Sequence, residues 1–481
     1  MHDILKEIVV RRIEDIGELG IEFGANIPKT RSRPLHPFLT QKGVILEVKR
    51  ASPSKGDIAP DLDAAKTALS YEAAGAAAIS CLTEKNYFKG NLNDLMAVCN
   101  SVDIAVLRKD FLLYPEEVDV SYRAGADAVL LIARILDAEN MLAMAKKAAA
   151  FKMTSLIEVR TDEDLEKLAF VAKGMEACDL QYIVCGVNSR DLRDFSIDLL
   201  KPCKLLSKIK AVLGDNARVI FESGIRTPQA ASFAGSLSFT GMLLGEAAAK
   251  SPSLRKDLVD SFVKASANKN SSFWYSVLEK ESKPLVKICG LTQREDVLLA
   301  DFLGADFLGF IFAAGFARNV CHDSENRFEK IRPHLKNLKA KKVAVITDPE
   351  SPEAEEAAKL VDQGILDCLQ FHGIEYSKVP QNLLSLPHYF VITSKNQNPE
   401  EMAKELFSMG EPRFLQDSRT HEYQKTDNHL WLAGGISPDN ASELINQFNP
   451  ELIDLSGGVE FPDQFGKKDP ALLKKFFENL K

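Results

Sequence analysis

The sequence lacks paired cysteines, long apolar runs and any excess of positive charge. Its eight cysteines are scattered over 481 residues without a CxxC pair, which predicts a reduced, cytoplasmic protein with neither a disulfide framework nor a zinc site. No run approaches the roughly 18 apolar residues of a membrane span, and charge interrupts the apolar residues of MHDILKEIVVRR, unlike in a signal peptide. We therefore expect no membrane partner.

The charge balance and the distribution of histidine limit the chemistry further. A net charge of −8 and a pI near 5.7 argue against a nucleic-acid partner, so local lysines, arginines and backbone amides must hold any anionic ligand. Histidine is absent between His36 and His322, and lysines and glutamates must therefore transfer protons in the first half. In a dry site beside other cations the pKa of a lysine can be lowered towards neutrality, and burial can raise the pKa of a glutamate, which yields a base and an acid.

Short apolar runs recur along the chain, with helical patterns between them. In the first half they end near residues 49, 81, 109, 132, 158, 188, 222 and 244, and the segments between them suit parallel βαβ units. Eight further runs end near residues 289, 312, 347, 371, 393, 416, 433 and 455. An eightfold barrel takes about 250 residues, so the chain has room for two. An open doubly wound sheet is the alternative in either half.

These counts predict an α/β protein made of two tandem (β/α)8 TIM barrels. We place the two domains at residues 1–255 and 284–481. The segment between them, 256–283, has a polar centre from Ala265 to Ser272 with helical patterns on both sides, which is typical of a linker.

Polar side chains close several apolar runs of the first half. In ILEVKRASPSKG, Glu47 and Lys49 alternate with Val48 and so project from the same face of a strand. A buried strand with such a pair is costly unless the pair has a function, and an exposed edge strand is the alternative. Recurrence of polar ends in other runs favours a function. These further ends are Lys109 and Asp110, Glu158, Asn188 and Arg190, and Glu222 and Ser223.

Glycine-containing loops follow the seventh and eighth runs of both halves. Barrel enzymes often hold phosphate with these two loops, through backbone N–H groups that glycine leaves accessible. The loops are residues 222–224 and 244–246 in the first half, and 433–436 and 456–458 in the second. One glycine loop is more often only a turn, but matching pairs predict phosphorylated small-molecule ligands for both domains.

The motifs LEVKRASPSKG, LRKDF, LIEV, GVNSRDL, FESGI and LLGEA, in that order, resemble indole-3-glycerol-phosphate synthase over residues 1–255. The resemblance implies a barrel with an extra N-terminal helix, here residues 3–15. It implies conversion of 1-(2-carboxyphenylamino)-1-deoxyribulose 5-phosphate to an indole, with loss of carbon dioxide and water. Lys109 would be the general acid, Glu158 its partner in dehydration, and Lys49 the carboxylate ligand or a second proton donor.

The same resemblance implies supporting and binding roles for further residues of the first half. Glu47 and Asn188 would orient the substrate and the catalytic lysines, and Glu222 would support the reacting centre. Arg190 is implied to help bind the carboxylate, and Phe111 to face the aromatic ring. The residues implied to bind the phosphate are Ser54, Ser223, Gly224 and Gly245.

The second half has a cysteine where the first has its charged pair. Cys289 ends the first run, VKIC, and Asp417 ends the sixth, RFLQD. A thiol that can be held as thiolate and a carboxyl group across one cavity suit an isomerisation that moves hydrogen between adjacent carbons. A buried structural cysteine and a solvated loop aspartate are the alternatives.

The motifs KICGLT, LGFIF, LQFHG, FLQD, LAGGISPDNA and DLSGGVE resemble phosphoribosylanthranilate isomerase over residues 284–481. The resemblance implies an Amadori rearrangement of N-(5-phosphoribosyl)anthranilate into the synthase substrate, with Cys289 as base and Asp417 as acid. His372 is interpreted as structural. Arg318 is implied to bind the anthranilate carboxylate. The residues implied to bind the phosphate are Gly434, Gly435, Ser456 and Gly457. The chain departs from the family pattern in AAGFARN, in DSRTHEY and in the SGG of the last loop.

The expected function is therefore a bifunctional enzyme of tryptophan biosynthesis that needs no metal or organic cofactor. Its partners are phosphorylated anthranilate–sugar conjugates; a monomer is compatible with the sequence, which does not fix the oligomeric state. One alternative is an aminoimidazole-ribotide isomerase of histidine synthesis, paired with another sugar-phosphate barrel. Such isomerases are similar in using two aspartates, whereas the first strand of the second domain here ends in Cys289. The other is a synthase whose second barrel only binds phosphate or stabilises its neighbour.

Overall fold

The computed structural model describes residues 4–53, 55–190, 196–279, 284–321, 324–393, 398–423 and 430–480. The chain divides into two compact units, Met1–Ala267 and Asn268–Lys481. Each unit contains a closed barrel of eight parallel strands. The predicted pair of (β/α)8 barrels is confirmed, and the open doubly wound sheet is excluded because the first and last strands of each barrel are hydrogen-bonded to one another.

In the first unit, the strands follow one another around the barrel in chain order. The barrel strands are β1 (Gly43–Val48), β4 (Ala78–Leu82), β5 (Ala105–Lys109), β6 (Ala128–Ile132), β7 (Thr154–Val159), β8 (Ile183–Asn188), β9 (Val219–Glu222) and β10 (Gly241–Leu244). A small antiparallel pair, β2 (Ala51–Ser52) and β3 (Gly56–Asp57), lies in the loop after β1.

Helices alternate with these strands. They are α1 (Ile4–Leu19), α2 (Ala64–Ala73), α3 (Leu92–Ser101), α4 (Glu116–Arg123), α5 (Ala138–Ala150), α6 (Asp162–Gly174), α7 (Lys201–Leu213), α8 (Pro228–Ser236), α9 (Glu246–Lys250) and α10 (Arg255–Lys264). Short 3-10 turns occupy Leu180–Tyr182 and Pro252–Leu254. Several helices begin with side-chain caps; at α6, Thr161 and Asp164 form a reciprocal capping box.

Alternation along each strand places polar residues directly above the apolar interior of the first barrel. Ile45, Leu107 and Leu156 belong to one buried cluster inside the ring. Two residues further along the same strands, the side chains of Glu47, Lys109 and Glu158 project from the same face. The polar groups thus lie at the carboxyl ends of the strands, where barrel enzymes place their chemistry.

The second unit repeats this architecture. Its strands are β11 (Leu285–Ile288), β12 (Phe307–Ile311), β13 (Lys341–Ile346), β14 (Cys368–His372), β15 (His388–Thr393), β16 (Phe414–Asp417), β17 (Trp431–Ala433) and β18 (Leu452–Leu455). Its helices are α11 (Lys269–Leu278), α12 (Arg294–Leu303), α13 (Arg327–Ile331), α14 (Pro352–Asp362), α15 (Gln381–Leu384), α16 (Pro399–Ser408), α17 (Ala441–Phe448) and α18 (Pro470–Asn479). Its 3-10 turns are Arg332–Asn337, Tyr376–Lys378 and Gly457–Val459.

Helix α11 packs an aromatic side chain against the strands of the second barrel. Trp274 is fully buried, and its ring centroid lies 5.9 Å from that of Trp431. Phe307 and Tyr389 lie 6.0 and 5.2 Å from Trp431 in the same cluster. The interval 256–283, predicted as a linker, therefore contains packed helices: α10 belongs to the first unit and α11 to the second.

Within the described ranges, none of the helices combines the length and the apolar character needed to cross a membrane.

Candidate active sites

A cavity of about 200 Å³ opens at the carboxyl ends of the strands in the first barrel. Predicted site residues that line it are Glu47, Lys49, Lys109, Phe111, Glu158, Asn188, Arg190, Ser223, Gly224 and Gly245. Glu222 lies fully buried beside Lys109. Ser54, the remaining predicted residue of this half, lies outside the described residues. The structure thus brings together side chains that are separated by nearly two hundred positions in the sequence.

Glu47 joins the two lysines of this cavity. Its Oε1 lies 2.7 Å from Nζ of Lys49, and its Oε2 lies 3.1 Å from Nζ of Lys109. Burial acts to raise the pKa of Glu47, but Lys109 and Lys49 outweigh burial and lower that pKa to about 2. Strand β1 is paired on both sides, so the alternative of an exposed edge strand is wrong.

Lys109 and Glu222 form a second buried contact, with Nζ 3.6 Å from Oε2. Burial acts to lower the pKa of Lys109, yet Glu47, Glu222 and Glu158 together raise it. A lowered lysine pKa requires neighbouring cations, and this condition is not met at Lys109, because three carboxylates surround it. Burial raises the pKa of Glu222 to about 7 against the opposing charge of Lys109, as expected for a glutamate in a dry site.

Glu158 is paired with an arginine that the sequence analysis did not single out. Nε and Nη2 of Arg160 lie 2.6 and 2.5 Å from Oε1 of Glu158. Both residues line the cavity. The signal was available, because Arg160 follows Glu158 by two positions and so projects from the same face, as Lys49 does after Glu47.

Asn188 and Arg190 lie together at the end of β8. The backbone N–H of Arg190 donates to Oδ1 of Asn188 at 2.9 Å. Burial lowers the pKa of the Arg190 guanidinium, although an arginine remains charged at neutral pH. The pair therefore offers the cavity a cation and an amide.

The loops predicted to bind phosphate have the backbone geometry of close-approach sites. Ser223 and Gly224 both have positive φ, +72° and +83°. A Cβ on Gly245 would lie 2.5 Å from Oε1 of Glu47 and 2.7 Å from Nζ of Lys49, so any larger residue there would displace this ion pair. Lys55 and Arg226 also line this cavity and could neutralise an anion, and the sequence analysis did not identify either.

Helix α1 contributes an apolar wall that the sequence analysis did not predict. Ile4, Leu5 and Ile8 line the cavity. Arg12 connects the same helix to the end of β5: Nη1 donates to Oδ1 of Asp110 at 2.6 Å, and Nη2 contacts Glu117.

In the second barrel, Cys289 directly follows β11 and lies beside a buried ion pair. Nζ of Lys287 lies 2.5 Å from Oδ2 of Asp454. Burial raises the pKa of the Cys289 thiol, whereas the charge and hydrogen bond of Lys287 oppose that rise. Lys287 precedes Cys289 by two positions and shares its face of the strand, a relation that the sequence analysis did not use.

Lys468 links the end of β11 to the last loop of the second barrel. Its fully buried Nζ donates to the carbonyl oxygens of Cys289 and Ser456, at 2.6 and 3.1 Å, and to Oε1 of Glu460 at 2.8 Å. Glu460 in turn receives Nε and Nη2 of Arg318 at 2.8 and 2.6 Å. These contacts fix Arg318 near Gly290 and Gly457. A Cβ added at either glycine would contact the Arg318 side chain.

Asp417 ends β16, and Nε2 of His372 lies 3.7 Å from its Oδ2. His372 ends β14, so it lies at the rim of the barrel beside the predicted acid, and its interpretation as structural stays a prediction. Gly434 and Gly435 both have positive φ, and a Cβ on Gly434 would lie 2.7 Å from Oδ1 of Asp417. Ser456 donates its hydroxyl to the carbonyl of Cys289 at 3.2 Å.

Fold and site together define a tandem (β/α)8-barrel protein in which each barrel carries ionisable side chains and glycine loops at the carboxyl ends of its strands. Residues 25–260 match the family model of indole-3-glycerol phosphate synthase, and residues 286–479 match that of N-(5'phosphoribosyl)anthranilate isomerase. The chain belongs to these two families, in that order along the sequence.

Relatives cover both halves. "Tryptophan biosynthesis protein TrpCF" of Salmonella typhi is 31% identical over 450 residues, 91% of this chain and 88% of the relative. The "Multifunctional tryptophan biosynthesis protein" of Schizosaccharomyces pombe is 29% identical over 479 residues, 92% of this chain. The chain spans only 60% of the length of that relative. Indole-3-glycerol phosphate synthase of Oceanobacillus iheyensis is 35% identical over 243 residues, 49% of this chain and 87% of the relative.

Proposed function

We propose that the chain is a bifunctional enzyme of tryptophan biosynthesis. The second barrel isomerises N-(5-phosphoribosyl)anthranilate to 1-(2-carboxyphenylamino)-1-deoxyribulose 5-phosphate, and the first barrel closes that product to indole-3-glycerol phosphate. Membership of the two families, in order, supports this proposal. We include a cytoplasmic location in it, because the structure pairs none of the described cysteines in a disulfide, as suits a reducing compartment.

The observation that carries the synthase half of the proposal is the set of charges around Lys109. Its ammonium group lies 3.1 Å from Glu47 and 3.6 Å from Glu222, and its raised pKa keeps it protonated at neutral pH. A protonated lysine in a cavity can donate to the substrate carbonyl as the ring closes with loss of carbon dioxide. Glu158 then assists the loss of water, and Lys49 and Arg190 hold the carboxylate before it leaves.

The isomerase half of the proposal assigns the base to Cys289, directly after β11, and the acid to Asp417, at the end of β16. Asp417 donates a proton to the ring oxygen of the sugar, which opens the ring. Cys289 then removes the proton at carbon two, so that hydrogen moves between adjacent carbons without a redox cofactor. Lys287 supports the thiolate electrostatically, because it opposes the rise that burial causes in the thiol pKa.

Single substitutions in each barrel test the assignment. Lys109→Ala should abolish synthase turnover and leave isomerase turnover unchanged, and Cys289→Ala should have the opposite effect. Lys173→Ala, on the exposed face of α6, and Cys178→Ala, at an exposed cysteine, are matched controls. Loss of both activities in either folded variant would refute the division of labour. Retention of isomerase turnover by Cys289→Ala would refute the assigned base.

A further inference from the structure

A single arginine, Arg160, is positioned to control the carboxylate of Glu158 in the first barrel. Strand β7 ends at Val159, and Arg160 lies two positions after Glu158, so the two side chains share the interior face. The Arg160 side chain is 14% exposed and that of Glu158 5% exposed. The pair therefore lies in the wall of the cavity and not on the outer surface.

Both ends of Arg160 are fixed. Its backbone N–H donates to Oδ2 of Asp164 at 2.8 Å, and Asp164 also completes the capping box with Thr161 at the start of α6. At the other end, Nε and Nη2 lie 2.6 and 2.5 Å from the same oxygen, Oε1 of Glu158. A guanidinium group anchored in this way loses little further entropy when it holds a carboxylate.

The choice of one oxygen has a chemical consequence. Because both nitrogens of Arg160 converge on Oε1, the arginine fixes the plane of the carboxylate without occupying Oε2. Charge-assisted hydrogen bonds of this length are among the strongest in proteins. Oε2 is then the atom of Glu158 that can exchange a proton with a ligand in the cavity.

Arg160 also influences a second carboxylate of the site. The groups that face this part of the cavity are Glu158, Glu222, Glu47 and the ammonium of Lys109. Burial raises the pKa of Glu222, and the charge of Arg160 is one of the two cationic influences that oppose this rise, together with Lys109. Removal of Arg160 therefore leaves Lys109 as the main cation among three carboxylates.

We propose that Arg160 is a positioning residue, which holds the Glu158 carboxylate by one oxygen and leaves the other free for proton transfer in the first barrel. This inference rests on the proposed synthase function for its kinetic consequences. It does not assign Arg160 a direct contact with the substrate. The family resemblance supplied no role for this residue, and its position follows from the geometry of β7 and α6.

Steady-state kinetics of the full chain test the proposal. Arg160→Gln should lower synthase kcat about tenfold or more while KM changes less than about threefold, because the lost interaction acts on the reacting group and not on substrate binding. Arg160→Lys retains the charge without the fork and should recover part of the loss. Isomerase turnover in the same variants should be unchanged, and an unfolding midpoint of the first unit equal to that of the wild type should show that the first barrel is folded. Lys173→Gln, on the exposed face of α6, is the charge-matched control.

A second measurement does not depend on catalysis. Carbon-13 NMR of protein labelled at glutamate Cδ follows the Glu222 carboxyl group, identified by its loss in Glu222→Gln. Its titration midpoint, which we expect at about 7 in the wild type, should rise by about one pH unit in Arg160→Gln. An unchanged midpoint would overturn the electrostatic link whether or not the synthase reaction occurs.

Three outcomes would overturn the inference. A raised KM with unchanged kcat would make Arg160 a substrate ligand. Equal loss of synthase and isomerase turnover, or a loss that Arg160→Lys does not relieve and that accompanies a lower unfolding midpoint, would make it only a structural residue of α6.

Discussion

Glu222 is the residue whose protonation state depends most directly on the fold. Among the described residues, neither of its carboxylate oxygens has a hydrogen-bond partner, and burial raises its pKa from the ordinary value of 4.5 to about 7. Because the folded chain binds this proton more tightly than the unfolded chain, protonation favours the fold. The contribution is complete below pH 4.5 or so and disappears as the pH rises through about 7.

Substitution of Glu222 by glutamine should remove this pH dependence. In the wild type, Glu222 should reduce the free energy of unfolding between pH 5 and pH 8, by about 3 kcal/mol at most. Glu222→Gln should flatten that part of the profile, as measured by urea denaturation followed by circular dichroism. Glu166→Gln, at an exposed glutamate of α6, should leave the profile as in the wild type. A Glu222→Gln profile as steep as the wild-type one would contradict the role of this carboxyl group.

A methyl group at Gly245 should disturb the synthase site without disturbing the barrel. The added Cβ would lie 2.5 Å from Glu47 Oε1 and 2.7 Å from Lys49 Nζ, so this ion pair must move. A displacement of about 1 Å in a catalytic group can cost on the order of 100-fold in rate, and we expect Gly245→Ala to lower synthase kcat/KM by about that factor. Gly17→Ala, in open space on α1, is the control and should be neutral or slightly stabilising. Normal synthase turnover in Gly245→Ala would show that the pair tolerates displacement.

The positions of the charged residues were predictable from strand alternation, but their charge states were not. The period of two predicts that Glu47 and Lys49 share a face, and they lie 2.7 Å apart. The same rule applied to Arg160 and Lys287 would have identified both. The number of carboxylates around Lys109 depends on which strands meet inside the barrel, and for that reason the direction of its pKa change could not be read from the sequence.

At the scale of elements, α1 is attached to the first site by a buried ion pair. Arg12 reaches Asp110, the residue directly after Lys109, at 2.6 Å, and Ile8 on the same helix lines the cavity. The helix therefore contributes a wall to the site and also constrains the end of β5.

Loss of Arg12 should affect both stability and synthase activity. Arg12→Met leaves Asp110 and Glu117 with fewer cationic partners in a buried position, and breaking such a pair costs about 3–5 kcal/mol. We expect a decrease of that size in the free energy of unfolding of the first unit, with reduced synthase and unchanged isomerase turnover. Arg11→Met removes a half-exposed neighbour of the same type and should change stability by less than about 0.5 kcal/mol. Equal effects of the two substitutions would show that the Arg12 contact is not important.

Helix α11 begins inside the polar centre that was interpreted as a linker, although a helical pattern was predicted after that centre. The polar centre ANKNSS is typical of a linker, but Asn268 and Ser271 exchange hydrogen bonds between side chain and backbone and so start α11. The polar residues form a helix cap, and only the position of the second barrel explains why Trp274 is buried. Alternation and helical periodicity predicted the barrel strands and most surrounding helices, since each depends on local pattern.

At the scale of the whole molecule, the division into two units predicts where a stable fragment of the second barrel must begin. A fragment of residues 284–481 contains all the strands of the second barrel but lacks α11 and the fully buried Trp274. Loss of a buried tryptophan side chain alone costs about 3–5 kcal/mol. Residues 268–481 should therefore fold and catalyse the isomerisation, whereas residues 284–481 should unfold at a markedly lower temperature. Thermal unfolding by circular dichroism and isomerase turnover of both fragments test this; equal stability would contradict the assigned role of α11.

The count of eight apolar runs in each half predicted the number of strands, but a count cannot distinguish a ring from an open sheet. Closure depends on hydrogen bonds between β1 and β10, and between β11 and β18, which join residues far apart in the sequence. The carboxyl-end location of the two sites follows from closure together with parallel pairing. The architecture is therefore confirmed. The roles assigned to the rim residues remain predictions, because a position at the rim does not by itself show what a side chain does.

The aromatic cluster of α11 also provides a spectroscopic reporter. The chain has two tryptophans, Trp274 and Trp431, and both are fully buried in the second unit. Tryptophan fluorescence excited near the red edge of its absorption band therefore monitors one barrel of the pair, while the far-ultraviolet signal averages over both. Comparison of the two optical curves in a single denaturation experiment would resolve the unfolding order of the domains without labels.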